Sequence, residues 1–145
     1  MALNVKPITL WRREIDNSPG KLGEVLEPLA NAAADLSVVM AYRYPGNESK
    51  AAVELYPVSG KKVTAAARAA GLAPAEDIPA LLVEGANRPG MGYQTTNAIA
   101  AAGINLAFVV AQVIGTKFSA VYGFDTEPDR RKALGILKKS PGKAR

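Results

Sequence analysis

NSPGKLGEVLEPLANAAADLSVVMA, residues 17–41, returns seventy positions later as NRPGMGYQTTNAIAAAGINLAFVVA, residues 87–111. Without a gap, Asn17, Pro19 and Gly20 fall on Asn87, Pro89 and Gly90. Ala30, Ala32, Leu36, Val39 and Ala41 fall on Ala100, Ala102, Leu106, Val109 and Ala111. A loop, a helix and an apolar strand copied together mean two similar supersecondary units in tandem rather than one irregular domain. Whatever one copy binds is to be sought in the other.

Working outward, each half reads as strand, helix, strand, strand, helix. Residues 8–15 predict the first strand, with imperfect alternation. If Trp11 and Ile15 face the core then Arg13 does too, where the second copy has Val83, and a bulge is the expected resolution ahead of a functional Arg. Leu22, Val25, Leu26 and Leu29 form the i, i+3, i+4, i+7 stripe of a helix over 19–34. Pro28, inside it, cannot donate to the Glu24 carbonyl and is expected to bend it. Leu36, Val38, Met40, Tyr42 and Tyr44 share one face of a second strand, and Pro45-Gly46-Asn47 turns it into a third near 51–58. Residues 61–70 form an Ala-rich helix ended by Gly71.

The second half repeats this with a strand at 81–85, a helix at 89–102, a hairpin of 106–113 with 118–124, and a helix at 127–139. Residues 72–79 must hold the fourth strand of the first unit and the crossing to the second. No such segment ends the second unit, because Ser140-Pro141-Gly142-Lys143-Ala144-Arg145 lacks an apolar pattern. One sheet edge is therefore expected to be incomplete, covered by another segment or by a second chain. The sequence places the units at 1–78 and 79–145.

Composition excludes much chemistry. With 48% hydrophobic and 21% charged residues the chain can form a globular core. It has no cysteine and no histidine, which removes disulfides, thiol nucleophiles, Cys/His metal sites and the side chain best suited to proton transfer near neutral pH. Neither an enzyme, a metal nor a cofactor is expected. Residues 1–7 lack a basic start followed by an apolar run, so no secretory signal is read and a cytoplasmic location is expected. Residues 89–116 carry no charge, but Gly103, Asn105, Gln112 and Gly115 interrupt the run, and its first-half counterpart carries Lys21, Glu24, Glu27 and Asp35. A buried helix followed by a buried strand is the expected explanation, not a membrane span.

The net charge of +5 belongs to the tail. Residues 1–129 hold 11 basic and all 13 acidic residues, a balance of −2, whereas 130–145 hold 7 basic and no acidic ones. A basic last turn suits a helix C-terminus, so nucleic acid is not the expected partner. Glu14 with Asp16, and Asp125 with Glu127 and Asp129, read as solvated or helix N-terminal charge rather than a metal or acid/base site. Gly90-Met91-Gly92 lacks the spacing and the parallel setting of a dinucleotide site.

The segments Asn17-Ser18-Pro19-Gly20 and Asn87-Arg88-Pro89-Gly90 each join a strand end to a helix start. Asn is suited to capping the first free amides, Pro to the first turn, and Gly to the close approach of another group. Unpaired N–H groups at the positive end of a helix dipole suit a carboxylate or a phosphate.

The order strand, Asn-x-Pro-Gly, apolar helix, then Ala33-Ala34-Asp35-Leu36 or Ala102-Gly103-Ile104-Asn105-Leu106 resembles the ACT domain, a ligand-binding regulatory module. The resemblance spans residues 7–139 as two copies, and the chain looks like the small stand-alone tandem-ACT proteins that carry no catalytic domain. It implies an α+β fold of two ferredoxin-like βαββαβ units, antiparallel sheets with helices on one face, the last strand of the second unit missing. It implies edge-to-edge pairing in a homodimer, with an amino acid bound where units meet. The ligand carboxylate would meet Gly20, Lys21 and Leu22, beside Asn17, Ser18 and Pro19, or Gly90, Met91 and Gly92, beside Asn87, Arg88 and Pro89. Asp35 and Ser37, or Asn105 and Ala107, would approach from the partner strand. The implied role is that of a non-catalytic amino-acid sensor; the alternative is a ligand-free adaptor that docks onto a metabolic enzyme through its sheet edges.

Overall fold

The computed structural model describes residues 3–139. The opening Met1-Ala2 and the end of the basic tail, with Lys143 and Arg145, lie outside the described residues. In chain order the elements are β1 (Asn4–Ile8), β2 (Trp11–Asp16), α1 (Lys21–Asn31), β3 (Val38–Tyr44), β4 (Asn47–Tyr56), α2 (Lys61–Ala69), β5 (Ala73–Pro74), β6 (Ala80–Ala86), α3 (Met91–Ala101), β7 (Leu106–Ile114), β8 (Lys117–Phe124) and α4 (Glu127–Lys139). They form two compact units: Thr9–Glu76, and the residues from Asp77 onward joined by those up to Ile8.

The first unit has βαββαβ connectivity and an antiparallel sheet of order β3-β4-β2-β5. Alternation along β2 and β4 puts Trp11, Ile15, Val53 and Leu55 on the face that receives Val25 and Leu29 of α1 and Ala67 of α2. Pro28 does not end α1, which runs on to Asn31. The fourth strand, β5, is only Ala73–Pro74, short because residues 72–79 also carry the crossing to the second unit.

Arg13 departs from expectation. Pairing of β2 with β4 runs unbroken from Trp11↔Leu55 to Asp16↔Lys50, so there is no bulge. Arg13 stays on the helix-covered face opposite Val53, and its Nη1 donates to the Ala70 carbonyl at 2.9 Å. A cation there satisfies an orphan acceptor at the C-terminus of α2, where the helix dipole favours positive charge.

The second unit has a sheet of order β1-β6-β8-β7. The edge expected to be incomplete is filled by β1, antiparallel to β6 from Asn4↔Glu84 to Ile8↔Ala80. Residues 1–8, which the sequence assigned to the first unit, are grouped with the second, and the strand expected over 8–15 is interrupted at Thr9-Leu10. The physical reason is the open edge of β6: its backbone groups need partners, and β1 supplies them. Pro7, which lacks a donor, is tolerated because β1 lies at the sheet edge. Arg130 fastens this strand, its Nη1 donating to the carbonyls of Ile8 at 3.2 Å and Ala80 at 3.3 Å. The core gathers Val5, Leu81, Val83, Ile99, Tyr122, Phe124 and Leu137.

The uncharged stretch also needs correction. Its helix, α3, buries Met91, Thr95 and Ile99, but the strand that follows is not buried. β7 forms the free edge of its sheet and leaves Val109, Val110, Val113 and Ile114 between 42% and 65% exposed. No helix among the described residues is long and apolar enough to cross a membrane.

Candidate functional site

The two Pro-Gly corners are type II turns. Gly20 has φ 88° and ψ −13°, and Gly90 has φ 92° and ψ 1°, the third-position geometry of that turn, which only glycine adopts without strain. Each turn closes through an amide three residues along, Lys21 N to Ser18 O at 3.4 Å and Met91 N to Arg88 O at 3.2 Å. Pro19 and Pro89 thus occupy the second turn position, where a fixed φ is already correct, and stand just ahead of their helices rather than in the first helical turn.

Neither Asn caps its helix by a side-chain bond. Asn17 is instead tied sideways to the β3–β4 hairpin: its amide donates to Ser49 O at 2.9 Å and its Nδ2 to Glu48 O at 2.7 Å. Asn87 N donates in the same way to Thr116 O at 2.8 Å. These bonds extend the sheet one step beyond the last ladder pair and fix where the corner points. Among the described residues no side chain caps the helix amides. Glu24 N is the first to donate back in α1, to Gly20 O at 3.0 Å, and Gln94 N does so in α3, to Gly90 O at 2.8 Å. Leu22 and Gly23, and likewise Gly92 and Tyr93, lie ahead of those bonds, in the turn whose N–H groups have no acceptor inside the helix.

Both corners are open. A Cβ built on Gly20 would meet nothing within 4 Å, and one on Gly90 would meet only Gln94 Nε2 at 3.8 Å. In the first unit the corner borders a cleft of about 210 Å³ that brings Asn17, Ser18 and Leu22 together with Ala41, Tyr42 and Arg43 of β3. Its electrostatics are mixed. Lys50 Nζ lies 2.8 Å from Asp16 Oδ1, and the hydrogen bond and charge of Lys50 hold the Asp16 carboxyl below its ordinary value. Lys21 Nζ stands 3.5 Å from Glu24. In the second unit those acidic positions become Ala86 and Gln94, and Gln94 Oε1 is buried without a hydrogen-bond partner among the described residues. Met91 is 3% exposed and part of the core, so only its backbone faces the corner; Arg88 Nη2 reaches its sulfur at 3.7 Å.

The remaining expected residues sit elsewhere. Asp35 and Ser37 lie between α1 and β3, where Ser37 N donates to Tyr56 O at 2.8 Å. Asn105 and Ala107 occupy the matching place, Asn105 Nδ2 lying 3.4 Å from Asp125 Oδ2. Each pair is separated from its own corner by the whole length of an 11-residue helix, about 16 Å. Asn105 also lines a cleft of about 370 Å³ along the flank of α3, with Tyr93, Thr96 and Asn97, which the sequence had not indicated.

A buried carboxylate was also missed. Glu54 is 1% exposed; its Oε2 accepts from the Tyr42 hydroxyl at 2.5 Å and lies 3.5 Å from Arg12 Nε, while Oε1 is buried without a hydrogen-bond partner among the described residues. Burial and then the Glu54 bond and charge push the Tyr42 phenol well above its ordinary value. Tyr42 therefore stays protonated and holds the carboxylate. Among the described residues no three acidic side chains converge on a metal position.

Two four-stranded sheets of matching layout, one βαββαβ and the other a βαββα unit completed by β1, each entering its first helix through an open Pro-Gly corner, define a tandem ACT-type fold. The solved structures similar to it agree. The chain matches protein BT0572 from Bacteroides thetaiotaomicron with a TM-score of 0.73 at 16% identity, over 90% of this chain and 88% of that one. It matches the regulatory subunit of aspartate kinase from Thermus thermophilus, in its ligand-free form, with a TM-score of 0.65 at 14% identity over 97% of both chains. Aspartate kinase from Synechocystis matches with a TM-score of 0.61 at 15% identity, over 99% of this chain but only 27% of the kinase. No protein-family model matches the sequence, and no curated protein matches it.

Proposed function

We propose that the protein is a non-catalytic regulatory module that binds a small amino acid at one or both Pro-Gly corners. The observation that carries this reading is the pair of open corners in register: two left-handed glycines, each with space around it and each followed by uncapped helix amides. Such amides at the positive end of a helix suit a carboxylate and need no charged side chain to hold it. The turn itself engages Lys21 and Met91, so Leu22 with Gly23, or Gly92 with Tyr93, present the carboxylate donors. Asp35 and Ser37, or Asn105 and Ala107, approach the ligand from a paired unit, because within one unit they lie a helix length away.

Pairing uses the free edges β3 and β7 in a homodimer, and the ligand acts by stabilising one arrangement over another in proportion to its differential affinity. The module works in the cytoplasm on a metabolic enzyme; similarity to a kinase regulatory subunit supports that direction. Titration calorimetry against the twenty amino acids tests the reading. Heat is expected for at least one of them, abolished by Gly20→Val or Gly90→Val; silence from folded protein across the panel refutes it.

The adaptor reading draws on a separate observation, the exposed, uncharged β7 edge. A long apolar edge strand is a ready template for another strand. If this is its whole function, the enzyme partner binds with no amino acid present and neither glycine substitution changes its affinity.

A further inference from the structure

The seventy-residue repeat extends to a surface feature outside both corners. Lys61, Lys62 and Arg68 of α2 fall on Arg131, Lys132 and Lys138 of α4, with Ala65 falling on Gly135 between them. All six cationic residues are exposed, while Ala67 and its counterpart Leu137 are buried. Helical spacing stacks positions i and i+7 on one side, so Lys61 with Arg68, and Arg131 with Lys138, form an exposed cationic stripe with a small residue at its middle. No Cβ built on Gly135 would meet anything within 4 Å.

Solubility and helix-dipole matching do not account for α2. Lys61 and Lys62 occupy its first turn, which holds no acidic residue, and the positive end of a helix disfavours cations. Among the described residues neither lysine has a carboxylate partner. Arg68 lies over the Trp11 ring, 5.0 Å from its centroid, a cation–π contact that holds the guanidinium in place without a carboxylate partner among the described residues. In α4 the same positions are partly neutralised: Arg131 lies 3.8 Å from Glu127, and Lys132 Nζ lies 3.5 Å from Ala102 O.

We propose that the outer face of α2, with a weaker copy on α4, is a docking surface for a protein partner that presents Asp and Glu carboxylates. Charge complementarity names the partner's chemistry, and the small residue in each stripe lets its backbone approach while the long cationic stems reach its carboxylates. Nucleic acid fits less well. Three cations per helix form no extended track along a phosphate backbone. This inference stands apart from the amino-acid reading, because neither corner contributes to the stripe.

The test is fluorescence anisotropy of the full chain with labelled poly-L-glutamate and with duplex DNA of equal charge. Lys61→Gln, Lys62→Gln and Arg68→Gln together are expected to weaken poly-L-glutamate binding about tenfold, and the matching α4 triple variant less. Ala65→Glu alone, which removes no packing, should act in the same direction. DNA is expected to bind no more tightly than poly-L-glutamate. Absence of poly-L-glutamate binding, unchanged affinity in both triple variants, or a preference for DNA overturns the proposal. Calorimetric amino-acid binding should be the same in every variant, so its outcome reports only on the corners.

Discussion

Arg13 Nη1 and the Ala70 carbonyl, 57 residues apart in sequence, meet at 2.9 Å and join the first strand of the first unit to the end of its second helix. A Cβ on Gly71 would sit 3.1 Å from Arg13 Cδ, so the glycine that ends α2 also leaves the path that the arginine takes. Replacing Arg13 by Met keeps the aliphatic stem and removes the bond. The expected loss is about 1 kcal/mol, the ordinary worth of a partly exposed charged hydrogen bond at a helix end, read as a lower urea midpoint. No change would mean that the contact adds nothing to stability.

Tyr42→Phe removes the hydroxyl that serves Glu54 and leaves a buried carboxylate oxygen with one donor fewer. Destabilisation of about 1–3 kcal/mol is expected, the cost of a buried acceptor left unpaired. Tyr42→Phe combined with Glu54→Met should recover part of that loss, since removing both polar partners is less costly than removing one. Thermal unfolding of the three variants decides.

Gly123 leaves room for the Phe108 ring, which any Cβ at that position would overlap. Gly123→Ala forces the ring off β8 and is expected to cost about 1–3 kcal/mol by overpacking. Gly46→Ala, at a turn glycine with φ 79° and nothing within 4 Å, tests backbone strain alone and should cost about 1–2 kcal/mol. Near-equal losses with retained Phe108 chemical shifts would contradict the overlap account.

The Asp16–Lys50 pair makes a prediction about pH. The Asp16 carboxyl is held below its ordinary 3.8 by the Lys50 hydrogen bond and charge, and the Lys50 ammonium is held above its ordinary 10.5 by Asp16. The stabilisation is therefore fully present between those two ordinary values. It is lost as the pH falls through the depressed Asp16 value, and again as it rises through the elevated Lys50 value. Carboxyl chemical shifts should show Asp16 titrating at lower pH than in Lys50→Met, with the difference shrinking in high salt.

Much of the fold was legible because the repeat and the hydrophobic periods agree. Leu22, Val25, Leu26 and Leu29 drew α1, and α4 spans the residues its pattern marked. Other features were not legible, each for a tertiary reason. β1 is short and split from β2 only by Thr9-Leu10, and its place is set by pairing with β6, from Ile8↔Ala80 to Asn4↔Glu84, which no local pattern encodes. Arg13 violates alternation because the end of α2 happens to lie above it. Asn17 looked like a cap, yet its side-chain Nδ2 donates to the hairpin carbonyl of Glu48, which ties the carboxamide to the hairpin. The openness of both corners was legible in their glycines, while the distance of Asp35 and Asn105 from them followed only once the helices were in place. Glu54 left no signal in the sequence, since its burial depends on how a strand face is covered.

The central claim is that the uncapped amides after Gly20 and Gly90 receive an amino-acid carboxylate. It is tested most directly by recording backbone amide resonances of the full chain while each of the twenty amino acids is added in turn. The account predicts that at least one amino acid shifts Leu22 and Gly23, or Gly92 and Tyr93, more than any other amides. Shifts absent from both corners throughout the panel, or confined to the outer faces of α2 and α4, would contradict it.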